Sequence, residues 1–109
     1  MSDLHAKKCA PCEGGVSPLT AAQAAELLAE LDPGWRIAGD SKSITRAFKF
    51  KDFFRTMSFV NAVAHVANGE DHHPDLKVGY DHLSVTYTTH SIGGLSHNDF
   101  ICAAKIDRL

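Results

Sequence analysis

The stretch DFFRTMSFVNAVAHVANG, residues 52–69, carries the longest regular pattern in the chain. Its apolar residues recur at alternating steps of four and three, the spacing of one face of an α-helix; they are Phe53, Met57, Val60, Ala64 and Ala67. Asp52 is a favoured N-cap residue, and Asn68-Gly69 favours a left-handed stop. The stretch therefore predicts a long helix with one apolar face.

A β-hairpin is predicted before this helix. Residues 35–37 and 44–50 flank the turn signal Gly39-Asp40-Ser41, and the second segment places apolar side chains on one face. Arg46 interrupts that face.

A second hairpin is predicted after the helix. Residues 75–78 and 82–89 flank Gly79-Tyr80-Asp81, and the second segment alternates between apolar and hydroxyl side chains. Such alternation is typical of a strand with one buried face.

Two further helices are predicted at the ends of the chain. Thr20 with Gln23 three residues later fits a capping box, and Asp32-Pro33-Gly34 ends that helix. Ser96 with Asp99 three residues later predicts the start of a last helix, which runs through residue 108.

The predicted order is helix, strand, strand, helix, strand, strand, helix. Hairpins separated by helices favour an α+β fold, with a four-stranded antiparallel sheet and the helices packed on one face. We expect residues 1–16 to be a mobile polar leader and residues 17–109 to form a single domain.

Composition excludes several classes of protein. With 109 residues, 44% of them hydrophobic, the chain can form one modest core. Its 11 basic and 13 acidic residues create no strong field for nucleic acid or an anionic membrane. No apolar run approaches the ~18–20 residues of a membrane span, and the N-terminus lacks the apolar core of a secretory signal. The sequence predicts a soluble cytoplasmic protein.

The three cysteines predict reduced thiols rather than a disulfide framework. Cys9 and Cys12 form a C-x-x-C pair to which His5 could add a third metal ligand, but there is no second C-x-x-C pair. Cys102 lies in an apolar helical stretch, which favours a buried, inert thiol.

Histidine is the unusual residue of this chain. Five of the seven histidines lie between positions 72 and 97. Their side chains titrate near neutral pH, so the cluster suggests proton transfer or metal ligation, and histidines at the surface remain the structural alternative. Adjacent His72 and His73 are an awkward pair for one metal ion, and the usual H-x-x-x-H spacing is missing.

Several short motifs together resemble the pterin-4a-carbinolamine dehydratases, a family with an acidic residue, His-His-Pro, an aromatic residue, a spaced histidine and a final Asp. The resemblance covers roughly residues 19 to 109 and includes Trp35 after the first helix. The motifs that carry it are Glu70-Asp71-His72-His73-Pro74, Tyr80, Thr88-Thr89-His90, Gly93-Gly94-Leu95-Ser96 and Asp99.

The resemblance implies both a fold and a reaction. Family members have a four-stranded antiparallel sheet with helices across one face, and they dehydrate 4a-hydroxytetrahydropterin to quinonoid dihydropterin. That reaction recycles the cofactor of aromatic amino-acid hydroxylases and needs no metal or redox cofactor. By resemblance the catalytic residues are His72, His73 and His90, and the residues lining the pterin site are Trp35, Asp71, Thr88 and Thr89. Asp99 either caps the last helix or orients His90.

Two other functions stay open at this stage. Animal members of the family also act as dimerisation cofactors of a transcription factor, which makes a protein-binding module one alternative, and a zinc-dependent hydrolase is the other. We also expect a homodimer or homotetramer, because open sheets leave edges that pair with other chains. The strands over 44–50 and 82–89 are the candidates for that pairing.

Overall fold

The computed structural model of the chain describes residues 3–10 and 17–109. The helices are α1 (Ala21–Leu28), α2 (Phe53–Glu70) and α3 (His97–Ile106), and the strands are β1 (Arg36–Ile37), β2 (Ile44–Lys49), β3 (Asp75–Val78) and β4 (His82–Tyr87). Short 3₁₀ helices span Leu4–Ala6 and His90–Ile92. The predicted α+β class and the predicted order of the main elements are confirmed. No helix in these described ranges is long and apolar enough to cross a bilayer.

The four strands form one antiparallel sheet in the order β1-β2-β4-β3. The two predicted hairpins join through their second strands, with Ile44 opposite Tyr87 and Lys49 opposite His82. The strands that we expected at exposed edges are therefore central, and the edges are β1 and β3. Periodicity along a strand reports its buried face but not which strand lies beside it.

The core lies between the helices and one face of the sheet. On that face β4 places Leu83, Val85 and Tyr87, all fully buried. Arg46 shares the face, and its guanidinium pairs with Asp107 (Nη1 to Oδ1, 2.6 Å). The positive charge of Arg46 is tolerated on the apolar face because the Asp107 carboxylate, at the end of α3, forms an ion pair with it.

The buried face of α2 is rotated from the predicted one. Thr56, Val63 and Ala67 are the buried residues, whereas Phe53, predicted to lie on the apolar face, is 49% exposed. The single proton of the Thr56 hydroxyl is shared between the carbonyls of Asp52 and Tyr80, each 2.9 Å from Oγ1, and this contact joins the helix to the β3–β4 turn. Hydrophobic periodicity misses this contact because threonine counts as polar.

The end of α2 also differs from the prediction. Gly69 is helical, and Asp71 takes the left-handed conformation, with φ of 52°. The amides of Asp71 and His72 both donate to the carbonyl of Ala67. Because Asp tolerates this conformation better than most residues, the helix continues to Glu70 and ends directly before the paired histidines.

Residues 3–10, part of the predicted leader, contact the rest of the chain. Leu4 is buried in the core, the amide of Ala10 donates to Asn98 Oδ1 at 3.0 Å, and Lys105 Nζ donates to the carbonyl of His5 at 2.8 Å. This segment covers a face of α3 that the sheet and α2 leave open, which explains why nearly all of α3 is buried. The rest of the predicted leader, residues 1–2 and 11–16, lies outside the described residues.

Replacing Thr56 tests the hydrogen bonds that join α2 to the β3–β4 turn. Thr56→Val keeps the shape of the side chain but removes its donor, so we expect the free energy of unfolding to fall by about 1–3 kcal/mol in urea titrations. Ser58→Ala is the matched control, because the Ser58 hydroxyl also donates to a carbonyl four residues earlier but is exposed. Its effect should stay within about 0.5 kcal/mol. Equal losses in the two variants would contradict the assignment.

Candidate active site

A cavity of about 590 Å³ opens where the end of α2, the end of β4 and the N-terminal segment meet. Six of the predicted site residues line it: Asp71, His72, His73, Thr88, Thr89 and His90. The other lining residues are Cys9, Ala10, Glu70, Ser91 and Asn98. The fold thus brings His72 and His73, which follow α2, and His90, which follows β4, to the same cavity.

His72 is held by a buried carboxylate. Its Nε2 lies 2.6 Å from Oδ1 of Asp99, whose side chain has no solvent exposure. A buried carboxylate accepts only, so Nε2 carries the proton and the Nδ1 atom of His72 is the nitrogen left for other contacts. Asp99 therefore orients His72, rather than His90 as one of the two sequence interpretations had it.

The other oxygen of Asp99 belongs to a closed set of hydrogen bonds. Oδ2 accepts from the Thr89 hydroxyl and the Ser96 amide, both at 2.9 Å. Because the single Thr89 proton goes to Asp99, the Ser96 hydroxyl donates to Thr89 Oγ1 over 2.8 Å. The Ser96 side chain in turn accepts from the Asp99 amide, which completes the predicted capping box.

The surroundings of His72 favour its protonated form. Burial opposes the charge, but the hydrogen bond and the negative charge of Asp99 outweigh it, so the pKa of His72 is raised above its ordinary value. The ring stacks on Tyr87 with centroids 5.3 Å apart, and the Tyr87 hydroxyl donates to the His72 carbonyl at 3.3 Å. His72 is thus fixed in place from several sides.

His73 faces the cavity from a different environment. Its side chain is exposed, and Nε2 lies 3.0 Å from Oδ1 of Asn68, one turn back on α2. When Nε2 donates to that oxygen, Nδ1 of the neutral ring keeps a lone pair. Two adjacent histidines therefore differ: His72 is partly buried against a carboxylate, and His73 is open to solvent.

His90 and Thr88 form the opposite rim. His90 is exposed at the start of the 3₁₀ turn that follows β4, and the Thr88 hydroxyl donates to the carbonyl of Lys42. Gly93 closes this turn with φ of 69°, a conformation that glycine adopts without strain.

Trp35 is not brought to this cavity. It is 2% exposed and lines a separate, shallower depression with Leu28 and Leu31. Its indole Nε1 donates to Oδ1 of Asp107 at 2.8 Å. In this chain Trp35 joins the end of α1 to the end of α3.

The N-terminal segment contributes a wall of the cavity that was not predicted from the sequence. Cys9 donates its amide to Oε1 of Glu70 at 2.8 Å, and both residues line the cavity. The C-x-x-C pair was the available signal, but its partner Cys12 lies outside the described residues. Within residues 3–10 and 17–109, no three side chains of the metal-binding types are arranged so that they could hold one metal ion.

Comparison with known proteins identifies the family. Residues 17–109 match the family model described as pterin 4 alpha carbinolamine dehydratase. The chain belongs to this family. A provisionally named pterin-4-alpha-carbinolamine dehydratase of Nitrosomonas eutropha is 58% identical over 98% of this chain and 93% of its own length. One from Legionella pneumophila is 53% identical over 99% of this chain and 96% of its own.

Solved structures agree with the fold. A Brucella melitensis protein described as a transcriptional coactivator/pterin dehydratase has a TM-score of 0.79 at 37% identity, covering 84% of this chain and 97% of that one. A pterin dehydratase-like RuBisCO assembly factor of the alpha-carboxysome has a TM-score of 0.59 at 21% identity, covering 69% and 87%. The second likeness concerns the fold alone.

The pairing of His72 with Asp99 predicts how this imidazole titrates. We expect its pKa, measured by NMR, to lie above the ordinary ~6.5 in the wild type and to fall in Asp99→Asn, where an amide replaces the charge. The stability that this raised pKa contributes is fully present below pH ~6.5 and is lost as pH rises through the folded-state pKa.

The matched control is Asp81→Asn, because Asp81 also contacts a histidine, His82, but at an exposed site. This change should leave the His72 titration as it is. An unchanged His72 pKa in Asp99→Asn would contradict the assignment.

Proposed function

We propose that this chain dehydrates 4a-hydroxytetrahydropterin to quinonoid dihydropterin, with histidines as the acids and bases. The observation that carries the proposal is that His72, His73 and His90 line one cavity in a member of this family. Histidines placed at the surface without a shared role would not be expected to line the same cavity.

The chemistry of this step suits imidazoles. The C4a–O bond breaks as an acid protonates the departing hydroxyl, a base removes the N5 proton, and the C4a=N5 bond forms. The products are water and quinonoid dihydropterin, and no electrons are exchanged with a cofactor. An acid or base with a pKa near the working pH contributes typically ~10²–10⁴-fold to such a step. The proposal therefore includes neither a metal nor a redox cofactor.

The environments of the paired histidines support a division of roles. His72 has a raised pKa and a fixed ring, which suits a proton donor acting through Nδ1. His73 keeps a lone pair on Nδ1 and is open to solvent, which suits a base. His90 is a third proton carrier on the opposite rim.

The remaining lining residues would hold the substrate. A carboxylate such as Asp71 accepts hydrogen bonds from the amino and ring N–H groups of a pterin, and Thr88 adds a hydroxyl on the other rim. Thr89 acts through Asp99, to which its hydroxyl is committed. Trp35, expected by resemblance to line the site, lies outside the cavity and is left out of the proposed binding set.

The proposed substrate is produced when an aromatic amino-acid hydroxylase uses its pterin cofactor. We therefore propose a functional link to such an enzyme, within the cytoplasm. The alternative of a protein-binding module finds its support in an exposed aromatic patch on α2 and the β3–β4 hairpin, described below.

Kinetics of histidine variants test the proposed reaction. His73→Ala and His90→Ala should each lower kcat by ~10²–10⁴-fold with a smaller change in KM, because acids and bases act on the transition state. The assay follows carbinolamine generated in situ by a phenylalanine hydroxylase. His97→Ala, an exposed histidine that does not line the cavity, is the control and should keep normal turnover. Near-normal kcat in both test variants would overturn the acid–base assignment.

Self-association is a second part of the proposal. Phe53, Phe54, Val78 and Tyr80 are large apolar residues with 44–79% exposure, and the Phe53 and Tyr80 rings stack with centroids 6.4 Å apart. An exposed apolar patch of this kind favours contact with another protein surface. Since it adjoins the edge strand β3, we propose that a second copy of the chain covers it in a homodimer or homotetramer.

Sedimentation equilibrium at micromolar concentration tests this assembly. We expect a species at a multiple of 11.8 kDa, and a shift toward the monomer in Phe54→Asp, which places a charge in the patch. Leu109→Asp changes another exposed apolar residue, at the end of the chain, and should leave the assembly intact. A single wild-type species near 11.8 kDa would refute the proposal.

A further inference from the structure

Two free cysteines that are 93 positions apart meet beside the candidate active site. Cys9 Sγ lies 3.5 Å from Cys102 Sγ. A disulfide requires about 2.05 Å, so the two sulfur atoms need to approach by roughly 1.5 Å. Cys102 is held within α3, whereas Cys9 lies outside any helix or strand, so the N-terminal segment is the side that can move.

The two thiols differ in their access to solvent. Cys9 is partly exposed and lines the cavity, whereas Cys102 is fully buried. A small oxidant that enters the cavity therefore meets Cys9 first, and the product finds Cys102 as its nearest thiol.

The contact between the two sulfur atoms has opposite effects on the pKa values of the two thiols. The hydrogen bond from Cys9, helped by the Tyr87 hydroxyl and the charge of His72, lowers the pKa of Cys102 although burial opposes this. The same hydrogen bond, together with burial, raises the pKa of Cys9. Because the two sulfur atoms are in hydrogen-bond contact, a proton can pass between them, and Cys9 is the one of the two that lines the cavity.

We propose that Cys9 and Cys102 form a reversible disulfide when a hydroperoxide enters the cavity, and that this bond fastens the N-terminal segment to α3. The Cys9 thiolate attacks one peroxide oxygen, the O–O bond breaks, and Cys9 sulfenic acid and a hydroxide ion are formed. The hydroxide takes up from solvent the proton that the thiol pair released on ionising, which gives the first water. Cys102 then attacks the Cys9 sulfur, the S–O bond breaks, and a second water leaves with the Cys102 proton. Two thiols and one hydrogen peroxide thus give one disulfide and two waters.

The disulfide would change how the cavity wall is held. In the reduced protein, hydrogen bonds from the amides of Cys9 and Ala10 to Glu70 and Asn98 attach this part of the wall. A covalent bond makes that attachment independent of them and closes a loop of most of the chain, which restricts the unfolded state. The proposal does not depend on the dehydratase reaction.

The test treats the intact protein with hydrogen peroxide and maps its peptides without reduction. We expect a Cys9–Cys102 cross-link, a mass lower by two hydrogens, and a Tm higher by roughly 10 °C that dithiothreitol reverses. Cys12→Ser should behave as the wild type, and Cys9→Ser should lose both the cross-link and the Tm shift.

Cys12 is the alternative disulfide partner for Cys9, since it lies three residues away in the chain. A Cys9–Cys12 cross-link in the wild type would overturn the proposal. So would conversion of Cys9 to sulfinic acid with Cys102 left as a free thiol.

Discussion

Asp99 is a carboxylate without access to water, and the site depends on how that charge is satisfied. Burying an unpaired charge is costly, so each of its oxygens needs donors with good geometry. Those donors come from the N-terminus of α3, the end of β4 and the residues after α2. One buried group therefore sets the mutual positions of three elements, and it orients His72 as it does so. The closed hydrogen-bond set through Thr89 and Ser96 leaves Asp99 no second arrangement of its partners.

The end of α2 explains why two adjacent histidines have different environments. Asp71 leaves the helix in the left-handed conformation, and Pro74 favours extended backbone for the residue before it. The chain reverses between these points, so His72 turns inward to Asp99 while His73 stays at the rim beside Asn68. Neighbouring positions thereby provide one imidazole with a raised pKa and one open to solvent. This asymmetry supports the division of acid and base roles that we propose for the two histidines.

The N-terminal segment belongs structurally to the site even though the family model begins at residue 17. The relatives from Nitrosomonas and Legionella align over nearly the whole chain, so they share this region. Residues 3–10 cover the outer face of α3 and bring Cys9 and Ala10 into the cavity wall. The segment thus completes the cavity wall and places the Cys9 thiol against α3.

Local sequence determined much of this protein. The helical period of α2, the alternation of β4, the capping box at Ser96 and the hairpin turns depend on neighbours within a few residues, and the elements that they predict are present. The buried face and the end of α2 differ from the prediction, because contacts with other segments also decide them. The histidine motif likewise identified most of the lining residues, because it lies where a helix ends and strands begin. Only the tertiary structure decided the contacts between residues far apart in the chain. The sheet pairs β2 with β4, and Thr56 is buried where α2 contacts the β3–β4 turn. Trp35 donates to Asp107, Asp99 binds His72 and not His90, and Cys9 contacts Cys102. Periodicity and capping describe the energetics of one segment, whereas these contacts arise when separate segments bury polar groups together and each group must find a donor or an acceptor.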